Sequence, residues 1–359
     1  MKLITQPADG AAPLVKAIKQ AKKTIQIVIF RIDQPEIAHA LEDAAGRGVA
    51  VHALIAFTNR GGEKNLRRLE MRFLEKGIIV ARTADDLVRY HGKMMLIDGK
   101  ELYLLTYNFT RLDNRSRSFG VITRNRGLVQ EASRLFEADT TRQPFTSHCD
   151  KLVVSPVNAR KRLATFLKGA KRELLIYDVD VSDKEMLRIL EDRCQAGLRV
   201  QVIGHVGKNK HLMARTLRKM RLHTRVVIRD GKQAFLGSQS LRRLELDARR
   251  EIGIVVNSPK IISAMTTIFQ DDWKASVPND ERAARKQVSA IAERASKKVA
   301  KEVARKLRPE PVVKHVVKAI QAEARIAVDP AQAVKVVQGT LKKAVKKAAA
   351  RIVEEAVAK

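Results

Sequence analysis

Two short patterns in the chain carry the residue types that phosphate chemistry needs. The first runs His91-Gly92-Lys93, then Asp98, then Leu105-Thr106-Tyr107-Asn108. The second runs His223-Thr224-Arg225, then Asp230, then Gly237-Ser238-Gln239-Ser240. From histidine to base, base to aspartate and aspartate to hydroxyl, the two share one spacing. A phosphodiester is anionic, so a nucleophile is repelled until the non-bridging oxygens are neutralised. Lys93 and Arg225 can supply that charge, and Asn108, Ser240, Thr106 and Ser238 can supply hydrogen bonds. Histidine titrates near neutrality, so one imidazole can attack phosphorus while the other, protonated, donates to the leaving oxygen. Asp98 and Asp230 each precede a glycine and read as organisers of a turn rather than reacting groups. No cluster of His, Cys and Asp has convincing metal-ligand spacing, and no cofactor is expected.

The elements around these patterns also repeat. Ala21-Lys22-Lys23 precedes the β-rich run Ile25 to Phe30, and Ala170-Lys171-Arg172 precedes Leu174 to Tyr177. A helical pattern follows in each half, Ile37 to Ala45 and Met186 to Cys194, and then a second strand, Val49 to Phe57 and Leu198 to Gly204. Such alternation argues for an α/β fold, with units built around mostly parallel strands. Side chains alternate along a strand, so each histidine and the base two places on are expected on one face, within reach of one phosphate.

The paired patterns resemble the HKD motifs of the phospholipase D superfamily, HxKx4Dx6GSxN, and the resemblance covers about the first 275 residues. It implies a duplicated pseudodimer, two mixed sheets flanked by helices, with one active site shared between the halves. On the family pattern His91 is the nucleophile and His223 the acid, with a phosphohistidine intermediate that water or an alcohol resolves and no metal required. The sequence departs from the pattern at Leu105, Thr106, Arg225 and Ser240. The family also places an acid about eleven residues past the second polar residue, where it can orient a histidine. Glu251 supplies it in the second half, and Arg117-Ser118-Phe119-Gly120 offers none in the first. One histidine is therefore expected to lack a carboxylate.

Charge narrows the partners. The chain has 359 residues, 70 Lys+Arg against 39 Asp+Glu, and a formal charge of +31. An anionic partner follows, either phospholipid headgroups at a membrane surface or nucleic acid. No apolar run reaches the roughly 18 residues of a membrane span, and two cysteines are too few for a disulfide framework. The expectation is a cytoplasmic protein, able to sit peripherally on the inner membrane face. Residues 1–150 read as the first repeat, 151–275 as the second, and 276–359 as a Lys/Ala-rich α-helical basic tail. Helical patterns in that tail cover Ser276 to Leu307, Val312 to Val328 and Ala331 to Ala358, with Asp329-Pro330 as a helix start. The tail suits DNA, a membrane or another subunit. The leading function is a phospholipase D-type phosphodiesterase or phosphatidyltransferase acting on phospholipids. A nuclease of the same superfamily and a catalytically decayed nucleic-acid-binding protein are the alternatives.

Overall fold

The computed structural model describes residues 1–57, 63–209, 211–279 and 310–324, together with 329, 331–337, 339–340, 343–344 and 347–348. Residues 1–279 form one compact unit and 280–359 a second.

The first repeat begins with β1 (Lys2–Gln6), α1 (Ala12–Gln20), β2 (Thr24–Ile29), α2 (Pro35–Gly46), β3 (Ala50–Ile55), α3 (Glu63–Glu75) and β4 (Ile79–Arg82). It continues through β5 (Arg89–Tyr90), β6 (Met94–Ile97), β7 (Glu101–Leu105), β8 (Ser116–Thr123) and α4 (Arg126–Thr141). The second repeat opens with β9 (Leu152–Val154), α5 (Ala159–Lys168), β10 (Glu173–Val181), α6 (Lys184–Gln195), β11 (Arg199–Val206) and β12 (Met213–Leu217). After these come β13 (Arg221–Leu222), β14 (Arg225–Arg229), β15 (Gln233–Gly237), α7 (Arg243–Asp247), β16 (Arg249–Arg250), β17 (Ile252–Val256), α8 (Pro259–Ala275) and β18 (Ser276–Pro278).

Both main sheets follow one plan. Their orders are β4-β3-β2-β6-β7-β8-β1 and β12-β11-β10-β14-β15-β17-β9, with β18 added beside β12 in the second. Strands β2–β3–β4 and β10–β11–β12 run parallel, as the strand–helix–strand sequence requires. The motif strands pair antiparallel in hairpins, β6 with β7 and β14 with β15. The sheets are therefore mixed, and less parallel than the strand–helix alternation alone suggests.

Nearly every strand position near the centre is apolar because both faces of each sheet are covered. In β10, Leu174 and Ile176 face one cluster while Leu175 and Tyr177 face another, following the two-residue period of a strand. The outer face of the first sheet packs on α1 and α2 through Ile18, Ile37 and Leu41. The outer face of the second packs on α5 and α6 through Leu163, Leu167, Ile189 and Leu190. Between the sheets lies one shared core that also takes Leu128, Leu135 and Phe136 of α4 and Ile261, Met265 and Phe269 of α8. That shared core fuses the repeats, so neither motif stands alone.

Two short cross-links carry chain from one repeat to the other. β5, directly before His91, pairs with β16 of the second repeat, and β13, directly before His223, pairs with the start of β8 in the first. The compact unit runs past residue 275 because Thr216 and Leu217 of β12 pair with Val277 and Ser276 of β18. The helix expected from Ser276 thus starts as a strand; its remainder, 280–307, lies outside the described residues.

In the second unit, helix α9 (Glu310–Ala324) begins with Pro311 in its first turn, where a missing N–H costs nothing. Val313 and Val317, one turn apart, are buried, and Lys314 and Lys318 are exposed. Asp329 caps the next helical stretch, its carboxylate accepting from the Ala331 N–H at 2.9 Å.

Candidate active site

The motif aspartates are structural, and they explain the repeated tripeptides. Asp98 Oδ1 accepts from the backbone N–H groups of Lys23 and Thr24 at 2.7 and 3.0 Å and from Lys22 at 3.0 Å. Asp230 Oδ1 makes the same three bonds to Lys171, Arg172 and Glu173 at 3.1, 2.7 and 3.0 Å. Both aspartates adopt positive φ, 53° and 55°, at the hairpin that returns the motif strand. Each ties that hairpin to the start of the repeat's first parallel strand.

The histidines are placed by the other repeat. The His91 N–H donates to the Arg250 carbonyl at 2.7 Å, and the His223 N–H to the Arg117 carbonyl at 3.1 Å. His91-Gly92-Lys93 forms the extended entry to β6, just ahead of the strand. Gly92 is required there, since a Cβ would lie 2.4 Å from Ile252 Cδ1 on β17. Each basic side chain folds back on its own histidine. Lys93 Nζ donates to the His91 carbonyl at 2.7 Å, and Arg225 Nη1 to the His223 carbonyl at 3.3 Å. All four side chains are buried, with only 6 and 7% of the two histidines exposed.

Both imidazoles have a carboxylate, and both carboxylates come from the opposite repeat. His91 Nδ1 lies 2.9 Å from Glu251 Oε2, and His223 Nδ1 lies 2.7 Å from Asp113 Oδ1, the latter off the ideal hydrogen-bond direction. A carboxylate only accepts, so each Nδ1 carries the proton and each Nε2 keeps a lone pair. The expectation that one histidine lacks an acid is thus corrected. The structural counterpart of Glu251 is Ser118, because Arg250 and Arg117 serve the two histidine N–H groups alike. Ser118 is fully buried and its hydroxyl has no hydrogen-bond partner among the described residues. Asp113 reaches His223 from a different place, five residues past Asn108. Glu245, five residues past Ser240, is its counterpart: Asn108 N donates to Asp113 and Ser240 N to Glu245, at 3.0 and 2.8 Å. An acid at that shared offset in both repeats was the readable signal for Asp113.

The other candidates divide. Thr106 Oγ1 exchanges bonds with the Phe119 backbone at 2.9 and 3.1 Å, and Ser238 Oγ accepts from the Ile252 N–H at 3.1 Å, so both stitch motif turns to a neighbouring strand. Asn108 gives one amide hydrogen to Asp113 at 2.8 Å, and its buried Oδ1 has no partner among the described residues. Ser240 Oγ accepts from Arg225 Nε at 3.1 Å. Leu105, which stands for the glycine of the family pattern, is a buried packing residue. Gly120 lies across from it, and a Cβ there would meet Leu105 Cδ2 at 2.6 Å. In the second repeat Gly237 and Gly253 face each other in the same places.

Electrostatics sets the resting protonation. Burial, then the Lys93 and Arg225 cations, hold His91 well below its ordinary value, so its imidazole is neutral. Burial also pushes His223 down to about 4, against the upward pull of Asp113 and with Arg225 adding to the fall. Burial lowers Lys93 to about 7, opposed by Glu251. Burial raises Glu251, while Lys93, Ser238 and Arg225 favour its ionised form. Burial works against Asp113 too, yet bonds from His223, Arg221 and Asn108 hold it below the usual carboxylate range. The site therefore holds positive charge at a desolvation cost, and a bound anion would relieve it. The ring of Phe30, edge-on to His91 at 4.6 Å, meets three cations, Lys93, Arg89 and Arg31.

Asp113 gives a direct test of the crossed pairing. Asp113→Asn is expected to lower kcat by about 10–100-fold, the range for losing the group that orients a working histidine. Asp113 raises the His223 pKa, so its loss moves the high-pH limb of kcat, where His223 loses its proton, to lower pH. A pH–rate profile with that limb unmoved contradicts the pairing.

The sequence pattern described as "Cardiolipin synthase, PLD-like domain" matches residues 14–140 and 163–273. A polyphosphate kinase of Pseudomonas syringae is 25% identical over 295 residues, covering 72% of this chain and 40% of its own length. A polyphosphate kinase of Prosthecochloris aestuarii is 26% identical over 314 residues, covering 76% and 44%. The chain thus spans less than half the length of these relatives. Among solved structures, polyphosphate kinase of Porphyromonas gingivalis superposes with a TM-score of 0.64 at 20% identity, over 75% of this chain and 46% of that one. Phosphatidylserine synthase of Haemophilus influenzae superposes with a TM-score of 0.59 at 11% identity, over 77% and 87%. These superpositions share the fold of two packed mixed sheets.

Proposed function

The chain belongs to the phospholipase D-like family, a phosphotransferase and phosphodiesterase superfamily, and on that premise we propose that it transfers phosphoryl groups through a phosphohistidine on His91. One observation carries the reading: two buried imidazoles, each held by a carboxylate of the opposite repeat, flank two buried cations. His91 Nε2 attacks phosphorus, the bond from phosphorus to the leaving oxygen breaks, and that oxygen takes a proton from His223. The acceptor oxygen then attacks phosphorus, gives its proton to His223, and the P–N bond breaks. Lys93 and Arg225 neutralise the non-bridging oxygens, and Asn108 has an amide hydrogen left for them. Thr106, Ser238 and Ser240 hold the motif turns and Arg225 in place. The phosphate's own charge offsets Lys93 and Arg225, which lets His223 take up a proton when phosphate is bound.

For the substrate, a phosphate chain of the polyphosphate type is the first reading, supported by the likeness to the two polyphosphate kinases and by the +31 charge. A phospholipid headgroup is the second, supported by the family description and by the superposition that spans 87% of phosphatidylserine synthase. Among the described residues no helix is long and apolar enough to cross a membrane, so a lipid substrate would be met at a surface. The test is turnover of polyphosphate, anionic phospholipid vesicles and plasmid DNA in parallel, with His91→Ala as control. Polyphosphate turnover lost in the control supports the first reading. Turnover of lipid alone moves the mechanism to the second, DNA nicking alone to a nuclease, and turnover of none refutes the enzyme.

A further inference from the structure

Away from the histidines, the outer edge of the second repeat carries a basic groove. A cavity of about 640 Å³ is bordered by Lys151, Lys161, Arg162 and Arg229, with Thr146, Ser147 and Thr165 adding hydroxyls. A second cavity, of about 770 Å³, shares Arg229, Gln233 and Asn257 with it and adds Lys171, Arg172 and Lys232. Both acids in the lining are engaged, Asp150 with Arg162 and Asp230 with three backbone N–H groups. Lys151, Lys161, Lys171 and Lys232 are exposed and have no carboxylate partner among the described residues.

The first repeat serves as an internal control. Asp98 and Asp230 align the two, and counting back without a gap from Ala21 and Ala170 sets Lys161 and Arg162 over Ala12 and Pro13. Arg229 stands over the buried Ile97, and Gln233 over Glu101. In the first repeat, Arg124 at this edge is paired to Glu101. Lys151, Lys171, Arg172 and Lys232 stand over Lys2, Lys22, Lys23 and Lys100, so the bases particular to the second repeat are Lys161, Arg162 and Arg229, and the same fold is built without those three.

We propose that this groove holds a linear inorganic polyphosphate chain at a site separate from the histidine centre. The choice of ligand rests on the phosphate-chain reading above; the groove itself does not. Two joined cavities suit a chain better than the flat face of a bilayer. Phe166, the aromatic side chain in the lining, is buried beneath the Arg229 guanidinium, 4.5 Å from its centroid, so no ring is free to stack a base. Lysines, hydroxyls and amides without such a ring suit phosphates alone. A chain held here would remain bound between turnovers.

The test uses the full chain carrying His91→Ala, so that binding is read without turnover. Fluorescently labelled polyphosphate is titrated at physiological salt into two triple variants of equal charge change. Lys151→Glu/Lys161→Glu/Lys232→Glu is expected to weaken binding by about tenfold or more, through lost phosphate contacts. Lys22→Glu/Lys23→Glu/Lys100→Glu, at the positions of the first repeat that match Lys171, Arg172 and Lys232, is expected to change it by less than about threefold, since general charge attraction acts weakly beyond a Debye length. Equal losses in the two, or none in the first, overturn the proposal. So does plasmid DNA that follows the groove variant while polyphosphate does not. If the triple variant loses its folded melting transition, Lys161→Glu alone, on an exposed helical position, carries the same comparison. Groove-dependent binding without polyphosphate turnover by the wild type would refute the substrate reading and leave the groove standing.

Discussion

His91→Ala is expected to reduce kcat/KM by about 10⁴-fold or more, and no choice of substrate should restore it. Without that imidazole no covalent intermediate forms, and water is left to attack an anion inside a buried site. His223→Ala should behave differently. Its loss removes the proton donor for the leaving oxygen, an effect of about 10²–10⁴-fold on a poor leaving group. An aryl phosphate ester, whose phenolate leaves without a proton, should recover most of the first step in His223→Ala and none of it in His91→Ala. The geometry alone does not rank the imidazoles, since each has a carboxylate on Nδ1. The ranking follows from their surroundings. His91 is held well below its ordinary value by burial and the Lys93 cation and sits edge-on to Phe30, so it stays a neutral nucleophile. His223 is held by Asp113, which stabilises the protonated form that an acid must reach. Rescue of His91→Ala by the aryl ester, with none for His223→Ala, would exchange the two roles.

Lys93→Met is expected to abolish turnover and yet raise the melting temperature at neutral pH by about 2–4 °C or more. The side chain is fully enclosed, and burial brings its pKa from 10.5 down to about 7. Between those values the unfolded chain binds a proton that the folded one does not. Wild-type stability should therefore rise with pH across that window, by up to about 1.4 kcal/mol per unit from this group. Below pH 7 both states hold the proton and the cost of burying the charge is fully present. The advantage of methionine is thus largest at pH 7 and below, and it shrinks as pH climbs toward 10.5. Thermal melts at pH 7 and 9.5 read this directly. A variant less stable than wild type at both would mean that the bond to the His91 carbonyl and the attraction to Glu251 outweigh desolvation. Added inorganic phosphate should stabilise the wild type and leave Lys93→Met less affected.

Much of this was legible in the residues, for identifiable reasons. A repeat with fixed spacing makes its own control, and the strand and helix expected in each half are present as β2, α2, β3 and β10, α6, β11. Asp98 and Asp230 were readable as turn residues, although their bonds to residues 22–24 and 171–173 span more than fifty positions and have no local signal. The crossing of the acids was not legible. Spacing places Glu251 in the second repeat and says nothing of its reaching His91, because that depends on β5 pairing with β16. Asp113 was not legible from the family pattern for a related reason: the family position holds Ser118, and the acid stands instead at the offset shared with Glu245. Leu105 looked like damage to the motif when taken alone. Its side chain fills the space over Gly120, the space that Phe235 fills over Gly237 and Gly253 in the second repeat. The end of the compact unit shifted to Asn279 because an edge strand of three residues, Ser276–Pro278, is too short for periodicity to reveal.

The central claim is the covalent step on His91, and mass spectrometry of the trapped enzyme tests it most directly. His223→Ala mixed with an aryl phosphate ester and quenched at alkaline pH, where phosphohistidine survives, should carry one phosphoryl group. Peptide mapping should place that group on the imidazole of His91, and His91→Ala treated alike should carry none. A phosphoryl group on any other residue, or wild-type turnover with no phosphoenzyme detectable at any time after mixing, would contradict the account.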